Sequence, residues 1–177
     1  MEQSQLVMVR KTLANLPEIV LPEPYRIRFH EDDDHERLTP VFQQCFDPGW
    51  NADRILKTFV ETPVWSPNRM CVLCCADEVV GTATAWEARE RPGHGLVHYL
   101  AVLPAHRGRR LGTALVVRVL QLLREMGYPD AWLSTDDVRL PAIRTYLSLG
   151  FAPVCTDESH EERWEIVRHK LQAGSTD

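Results

Sequence analysis

The stretch Leu96-Val97-His98-Tyr99-Leu100-Ala101-Val102-Leu103-Pro104-Ala105-His106-Arg107-Gly108-Arg109-Arg110-Leu111-Gly112-Thr113, with the periodic segment that runs on to Gly127, decides how this chain is read. Leu96 to Leu103 is an apolar run interrupted by His98 and stopped by Pro104, which makes it a strand. Beyond the Gly/Arg turn, Leu111, Leu115, Val119, Leu122 and Met126 recur at steps of four, four, three and four, the spacing of one helix face. Gly127 stands where a helix C-cap is expected. A glycine-bearing turn between strand and helix gathers unpaired backbone N–H groups and the positive end of the helix dipole around one point, which is an anion site. Arg107, Arg109 and Arg110 would be unfavourable beside that dipole on folding grounds alone, so a bound anion accounts for them better than a solvated helix start. Their planar forks suit phosphate oxygens. No Gly-Lys-Ser/Thr follows, which disfavours a Walker-type nucleotide loop.

Working outward, the chain alternates strands and helices. Residues 1–24 read as an N-terminal extension in which Leu6 to Arg10 is a candidate short strand and Pro17, Pro22 and Pro24 make an extended connector. One domain over residues 25–177 follows. Tyr25 to His30 alternates as a strand. Asp34 to Cys45 and Ala52 to Glu61 read as helices, Met70 to Ala76 and Val79 to Trp86 as a hairpin turning at Asp77-Glu78, and Asp130 to Thr135 as a strand. Pro141 to Leu149 reads as a helix with Pro in its first turn and Gly150 just past its end. Phe151 to Val154 and Arg163 to Arg168 read as two final strands. The result is an α/β fold, a mixed and mostly antiparallel central sheet flanked by about four helices.

At 177 residues one domain with a sizeable core is expected. A hydrophobic content of 44% with 25% charged residues fits a soluble globular protein. The net charge of -5 argues against general nucleic-acid binding, which needs a basic face. No run has the length of a membrane span, and the N-terminus shows no basic region followed by an apolar core, so a cytoplasmic compartment is expected. Of the five cysteines, Cys71, Cys74 and Cys75 fall in one strand with Cys74 on the opposite face, a poor arrangement for tetrahedral ligation. Reduced core cysteines are expected, and no metal. The acidic run Glu31 to Asp34 reads as a loop and helix start, since no regular ligand spacing accompanies it.

Two motifs carry a resemblance to a known family. Val102-x-Pro104-x-x-Arg107-Gly108-x-x-Leu111-Gly112-x-x-Leu115 resembles the coenzyme A loop of the GNAT superfamily of acyl-CoA-dependent N-acetyltransferases. Ala142-Ile143-x-x-Tyr146-x-x-x-Gly150-Phe151 resembles its second signature, at the family's separation of one helix and one strand. The segment from Leu16-Pro17-Glu18 to Leu21-Pro22 also resembles the lead-in of some mycothiol-synthase-like members. Two positions depart from the family pattern. Arg110 stands where a glycine is common, and a positive φ there would be costly for Arg. Arg139 stands where an Asn often helps hold the donor.

The resemblance implies an enzyme that moves an acetyl group from acetyl-CoA, as cosubstrate, to a primary amine by direct attack in a ternary complex. The acceptor would be a small-molecule or peptide amine; dimers are frequent in the family, so a homodimer is an expected assembly. The donor would be held by Leu100, Ala101 and Val102 on the strand, by Arg107, Gly108, Arg109, Arg110, Leu111, Gly112 and Thr113 at the loop, and by Arg139. The N–H near Val102 would face the thioester oxygen. Tyr146 is the expected proton donor, since a phenol with a pKa of about 10 can protonate a thiolate whose conjugate acid is near 8.5. His98 is the first candidate base, in a register that resembles a histidine of the arylalkylamine N-acetyltransferase branch; it reads equally well as a core histidine. Glu87 is the second candidate and His94 the third. Phe46, Asp47, Trp50, Trp86 and the loop Thr156 to Glu162 are expected around the acceptor. Two other classes fit the same residues: a non-catalytic acyl-CoA-binding module, and a partner-binding domain that uses the loop for another anion.

Overall fold

The computed structural model describes residues 4–173; residues 1–3 of the expected extension and 174–177 of the expected domain lie outside them. In chain order the elements are β1 (Leu6–Arg10), β2 (Tyr25–Phe29), α1 (Asp34–Arg37), α2 (Thr39–Cys45), α3 (Ala52–Ile55, running on as a π-helical turn over Leu56–Val60), β3 (Met70–Cys75), β4 (Glu78–Glu87), β5 (Gly95–Val102), α4 (Leu111–Glu125), β6 (Ala131–Thr135), α5 (Leu140–Ser148), β7 (Ala152–Val154) and α6 (His160–Ala173). The sheet runs β2-β3-β4-β5-β6-β1-β7. Every pairing is antiparallel except β5 with β6. The α/β architecture with a mostly antiparallel sheet is as the sequence indicates.

β3 and β4 are buried almost end to end, so both faces of the sheet centre are covered. α4 packs across β3, β4 and β5 with nine buried side chains, Leu111, Leu115, Val119 and Leu122 among them. α2 packs on β4 and β5. The helix expected from Asp34 to Cys45 is two helices, because Pro40 supplies no N–H and sits in the first turn of α2. The hairpin turns at Ala76-Asp77, between the paired Cys75 and Glu78. Asp34 is fully buried in α1 and ion-paired to Arg28, with Glu31 N–H donating to the same carboxylate.

Two further features differ from the sequence reading. Arg163 to Arg168 is not a strand: it lies inside α6. Its apparent alternation is misleading, since the buried side chains are His160, Arg163, Trp164 and Val167 while Ile166 is 46% exposed, a helical spacing. Glu161 and Glu162 in the first turn and Lys170 in the last complement the helix dipole. The place next to β6 is filled instead by β1, which pairs with β6 from Leu6↔Thr135 to Arg10↔Ala131 and with β7 on its other side. Among the described residues no helix is long and apolar enough to cross a membrane.

Candidate active site

β5 and β6 start as paired parallel strands and then separate. Their pairing covers Gly95↔Ala131 and Leu96↔Trp132. Beyond that a bulge intervenes on the β4 side. Thr84 faces His98 and Thr82 faces Ala101, so β5 spends three steps against two, with Tyr99 at φ 47°. A bulge bends its strand and increases the local twist. The resulting cleft holds a cavity of about 210 Å³. One wall carries Phe46, His98, Tyr99 and Leu100; the other carries Ser134, Thr135, Asp136, Arg139 and Tyr146, with Gln5 from the N-terminal segment.

At the C-terminal end of β5 the chain turns through Pro104–His106 into the loop before α4. Gly108 has φ 79° and Arg110, the residue before the helix, has φ 58°, the left-handed region. The backbone N–H groups of residues 108–113 donate to nothing among the described residues, as expected of a helix start without a side-chain cap. Arg107, Arg109 and Arg110 are exposed around them. Arg107 Nε donates to the Val102 carbonyl at 3.0 Å, and Arg109 to the Ala105 carbonyl at 3.0 Å. Leu103 N–H bonds to Val80 O at 2.9 Å. By strand alternation Val102 N–H therefore points to the opposite edge, where β6 has already diverged. The loop and the cleft can thus take an extended ligand with an anionic end.

Tyr146 is placed by the way α5 ends. Gly150 adopts φ 80°, its N–H bonds to Leu147 O, and Phe151 N–H bonds back to Tyr146 O at 3.0 Å. This pair of bonds closes a Schellman cap, and its hydrophobic contact is Phe151 against Tyr146, with ring centroids 5.9 Å apart. Burial pushes the Tyr146 phenol up to about 12, partly countered by the charge of Arg139. On the opposite wall, burial pushes His98 down to about 4. Its ring lies 4.3 Å from Tyr99 and stacks near Trp86. The imidazole is therefore neutral across the physiological range, a hydrogen-bond acceptor rather than a cation.

The other expected residues fall in different places. Glu87 is at the far end of β4, opposite Gly95, and does not line the cavity. Tyr128 Oη donates to it at 2.6 Å and Gly93 N–H at 2.9 Å, and these bonds lower its pKa. His94 pairs with Asp130 near the same end. Phe46 lines the cavity and contacts Tyr99, whereas Trp50 and Trp86 are core side chains, 2% and 9% exposed. Asp47 pairs with Arg54. The segment Thr156 to Glu162 is not wholly a loop, since α6 starts at His160. Leu100 lines the cavity, while Ala101 is paired to Thr82. Gln5, Ser134 and Asp136 were not expected there. Asp136 follows a strand end, a usual place for a site residue, but nothing local to Gln5 signals that β1 docks beside β6. Among the described residues no group of three His, Cys, Asp or Glu side chains is arranged to hold a metal.

The Acetyltransferase (GNAT) family model matches residues 24–151. A mycothiol acetyltransferase of Nocardia farcinica is 31% identical over 169 residues, which cover 88% of this chain and 55% of that protein. N-acetyltransferase 8B of Rattus norvegicus is 38% identical over 78 residues, 42% of this chain and 35% of its own. The chain thus spans about half the length of the first of these relatives. Among solved structures, a GCN5-related N-acetyltransferase from Sphaerobacter thermophilus superposes with a TM-score of 0.69 at 22% identity, over 86% of this chain and 50% of that one.

Proposed function

Because this chain belongs to the Acetyltransferase (GNAT) family, we propose that it moves an acetyl group from acetyl-CoA to a primary amine by direct attack in a ternary complex. The observation that carries the reading is the divergence of β5 from β6, with Tyr146 on one wall of the cleft and the unpaired N–H groups of residues 108–113 beyond the C-terminal end of β5. The loop suits the pyrophosphate, with Arg107, Arg109 and Arg110 adding charge. The peptide-like arm lies along the free edge of β5, and Val102 N–H is the donor for the carbonyl oxygen as it gains charge. Arg139 stands on the facing wall.

The amine nitrogen attacks the thioester carbon, the carbonyl electrons move to oxygen, and their return expels the thiolate. Tyr146 is the group that meets the departing sulfur. With its pKa near 12 against a thiol near 8.5, it stabilises the thiolate chiefly by donating a hydrogen bond, and the sulfur is then protonated from the cleft. His98 accepts a hydrogen bond from the attacking amine. At a pKa near 4 it orients the amine lone pair while water in the cleft carries the proton away. The aromatic side of the cleft, Phe46 and Tyr99, is the wall nearest an incoming acceptor, and the likeness to mycothiol acetyltransferases puts small-molecule amines first in any panel.

The test is release of free thiol from acetyl-CoA with a panel of small amines, amino sugars and peptide N-termini, beside calorimetry with coenzyme A. Turnover with at least one amine, lost in Tyr146→Phe with His98→Ala, is the expected result. Coenzyme A binding without thiol release for any amine would favour a non-catalytic acyl-CoA-binding module. No affinity for coenzyme A would overturn both.

A further inference from the structure

Gln5 stands one residue ahead of β1, whose register sets Leu6 opposite Thr135. Its side chain bridges the cleft wall. Nε2 donates to Asp136 Oδ1 at 2.9 Å, and Oε1 accepts from the Ser134 hydroxyl at 2.9 Å. The second oxygen of Asp136 takes Arg139 Nε at 2.9 Å. The Arg139 guanidinium in turn lies 5.7 Å from the Phe46 ring centroid. Ser134, Gln5, Asp136 and Arg139 therefore form one hydrogen-bonded row along the cavity, from β6 to the aromatic side. With Asp136 and Arg139 each about 41% exposed, their ion pair alone would hold Arg139 weakly, because an exposed pair gains little and a long side chain loses rotamer freedom.

The segment that carries Gln5 is itself tied down. Arg163 Nη1 donates to Ser4 O at 2.7 Å while its other nitrogens grip Asp137. His160, fully buried, accepts from Thr156 N–H through Nδ1, which leaves Nε2–H to donate to Ser4 Oγ at 3.2 Å. The start of α6 thus fixes residue 4, and residue 5 reaches the cleft. Gln5 is exposed, so its bonds add little to the fold.

We propose that Gln5 is a positioning residue of the transfer cleft: it holds Asp136, and through it the Arg139 guanidinium, where Arg139 meets the thiol arm of the donor. This rests on the reading of the cleft as the donor site given above. Coenzyme A is the probe, titrated calorimetrically into the whole chain. Gln5→Ala weakens coenzyme A about fivefold, the scale of one hydrogen bond, with the melting temperature within about 1 °C of the parent. Asp136→Ala gives a similar loss, and the double variant Gln5→Ala/Asp136→Ala loses little more, because both act on one row. Gln5→Ala combined with Arg107→Ala is instead additive, since Arg107 lies at the loop. That contrast separates positioning from general damage to the fold, which would make no distinction between the two partners. An affinity within twofold for Gln5→Ala, or additive losses with Asp136→Ala, overturns the proposal. If the parent chain binds no coenzyme A, the donor-site reading falls first and this proposal with it.

Discussion

Tyr146 and Arg110 show how much of this site depends on single conformations. Tyr146 is buried, its phenol pushed up to about 12, and its ring is fixed by Phe151. Tyr146→Phe keeps the ring and removes the donor. Turnover should fall by about 10²–10³-fold, the range for losing one hydrogen-bond donor to a developing negative charge, with coenzyme A affinity kept. Steady-state rates beside calorimetry check it; an unchanged rate would take Tyr146 out of the chemistry. Because the phenol stays protonated far above neutrality, the rate should also show no decline attributable to Tyr146 between pH 8 and about 10. Arg110 is the opposite case, a large side chain held at φ 58°. That conformation costs an L-residue about 1–2 kcal/mol, part of which a glycine returns through its freer unfolded chain. Arg110→Gly should therefore raise the melting temperature by about 2 °C while weakening coenzyme A, since a cation leaves the loop. A lower melting temperature would show that the side chain, and not backbone strain, dominates there.

At the level of elements, the end of α5 does more for the site than its length suggests. A Cβ on Gly150 would meet φ 80° and lie 2.7 Å from Arg10 Nη1, which is itself bonded to Leu149 O. Gly150→Ala should lower stability by about 1–2 kcal/mol, or about 2–8 °C in melting temperature, and disturb the Tyr146–Phe151 contact, so turnover falls with it. A thermal melt and a rate measurement on the same preparation check both; an unmoved melt would show that the cap tolerates a side chain. This cap, the α4 stripe and the β3–β4 hairpin could be read from the sequence because each is local: a glycine after a periodic run, a turn between alternating runs. α6 and the place of β1 could not. Trp164 and Ile166 fit a two-residue period as readily as Trp164 and Val167 fit a helical one, and only burial against α5 decides between them. β1 was visible as a candidate strand, but its partner is more than 120 residues away in the chain. The contribution of Gln5 to the cleft follows from that pairing and has no local signal of its own.

For the molecule as a whole, the buried titratable groups set an acid limit. His98 is pushed down to about 4 by burial, and burial also lowers His30. In the unfolded chain both protonate near 6.5, while in the folded chain they stay neutral below that. The unfolded state therefore binds more protons as pH drops, and folding stability falls from about pH 6.5 toward pH 4. For His98 the full difference corresponds to roughly 3 kcal/mol. Asp34 works lower down. Burial opposes its charge, but Arg28 and the Glu31 N–H outweigh that and hold its pKa below the usual carboxylate value. Its contribution is present above about pH 4 and is lost as pH falls further. The chain should thus lose stability in two acid stages, histidine first and carboxylate second, and lose none from these groups between pH 7 and 8. Melting temperatures at pH 7.5, 6.0, 5.0 and 4.0 measure the first stage. His98→Gln, uncharged at every pH, should flatten the fall between pH 6.5 and 4 relative to the parent, and should leave the steeper loss below pH 4 in place. Parallel curves for the two proteins would mean that His98 is protonated in the folded state well above pH 4, and the neutral acceptor assigned to the cleft would be lost with that result.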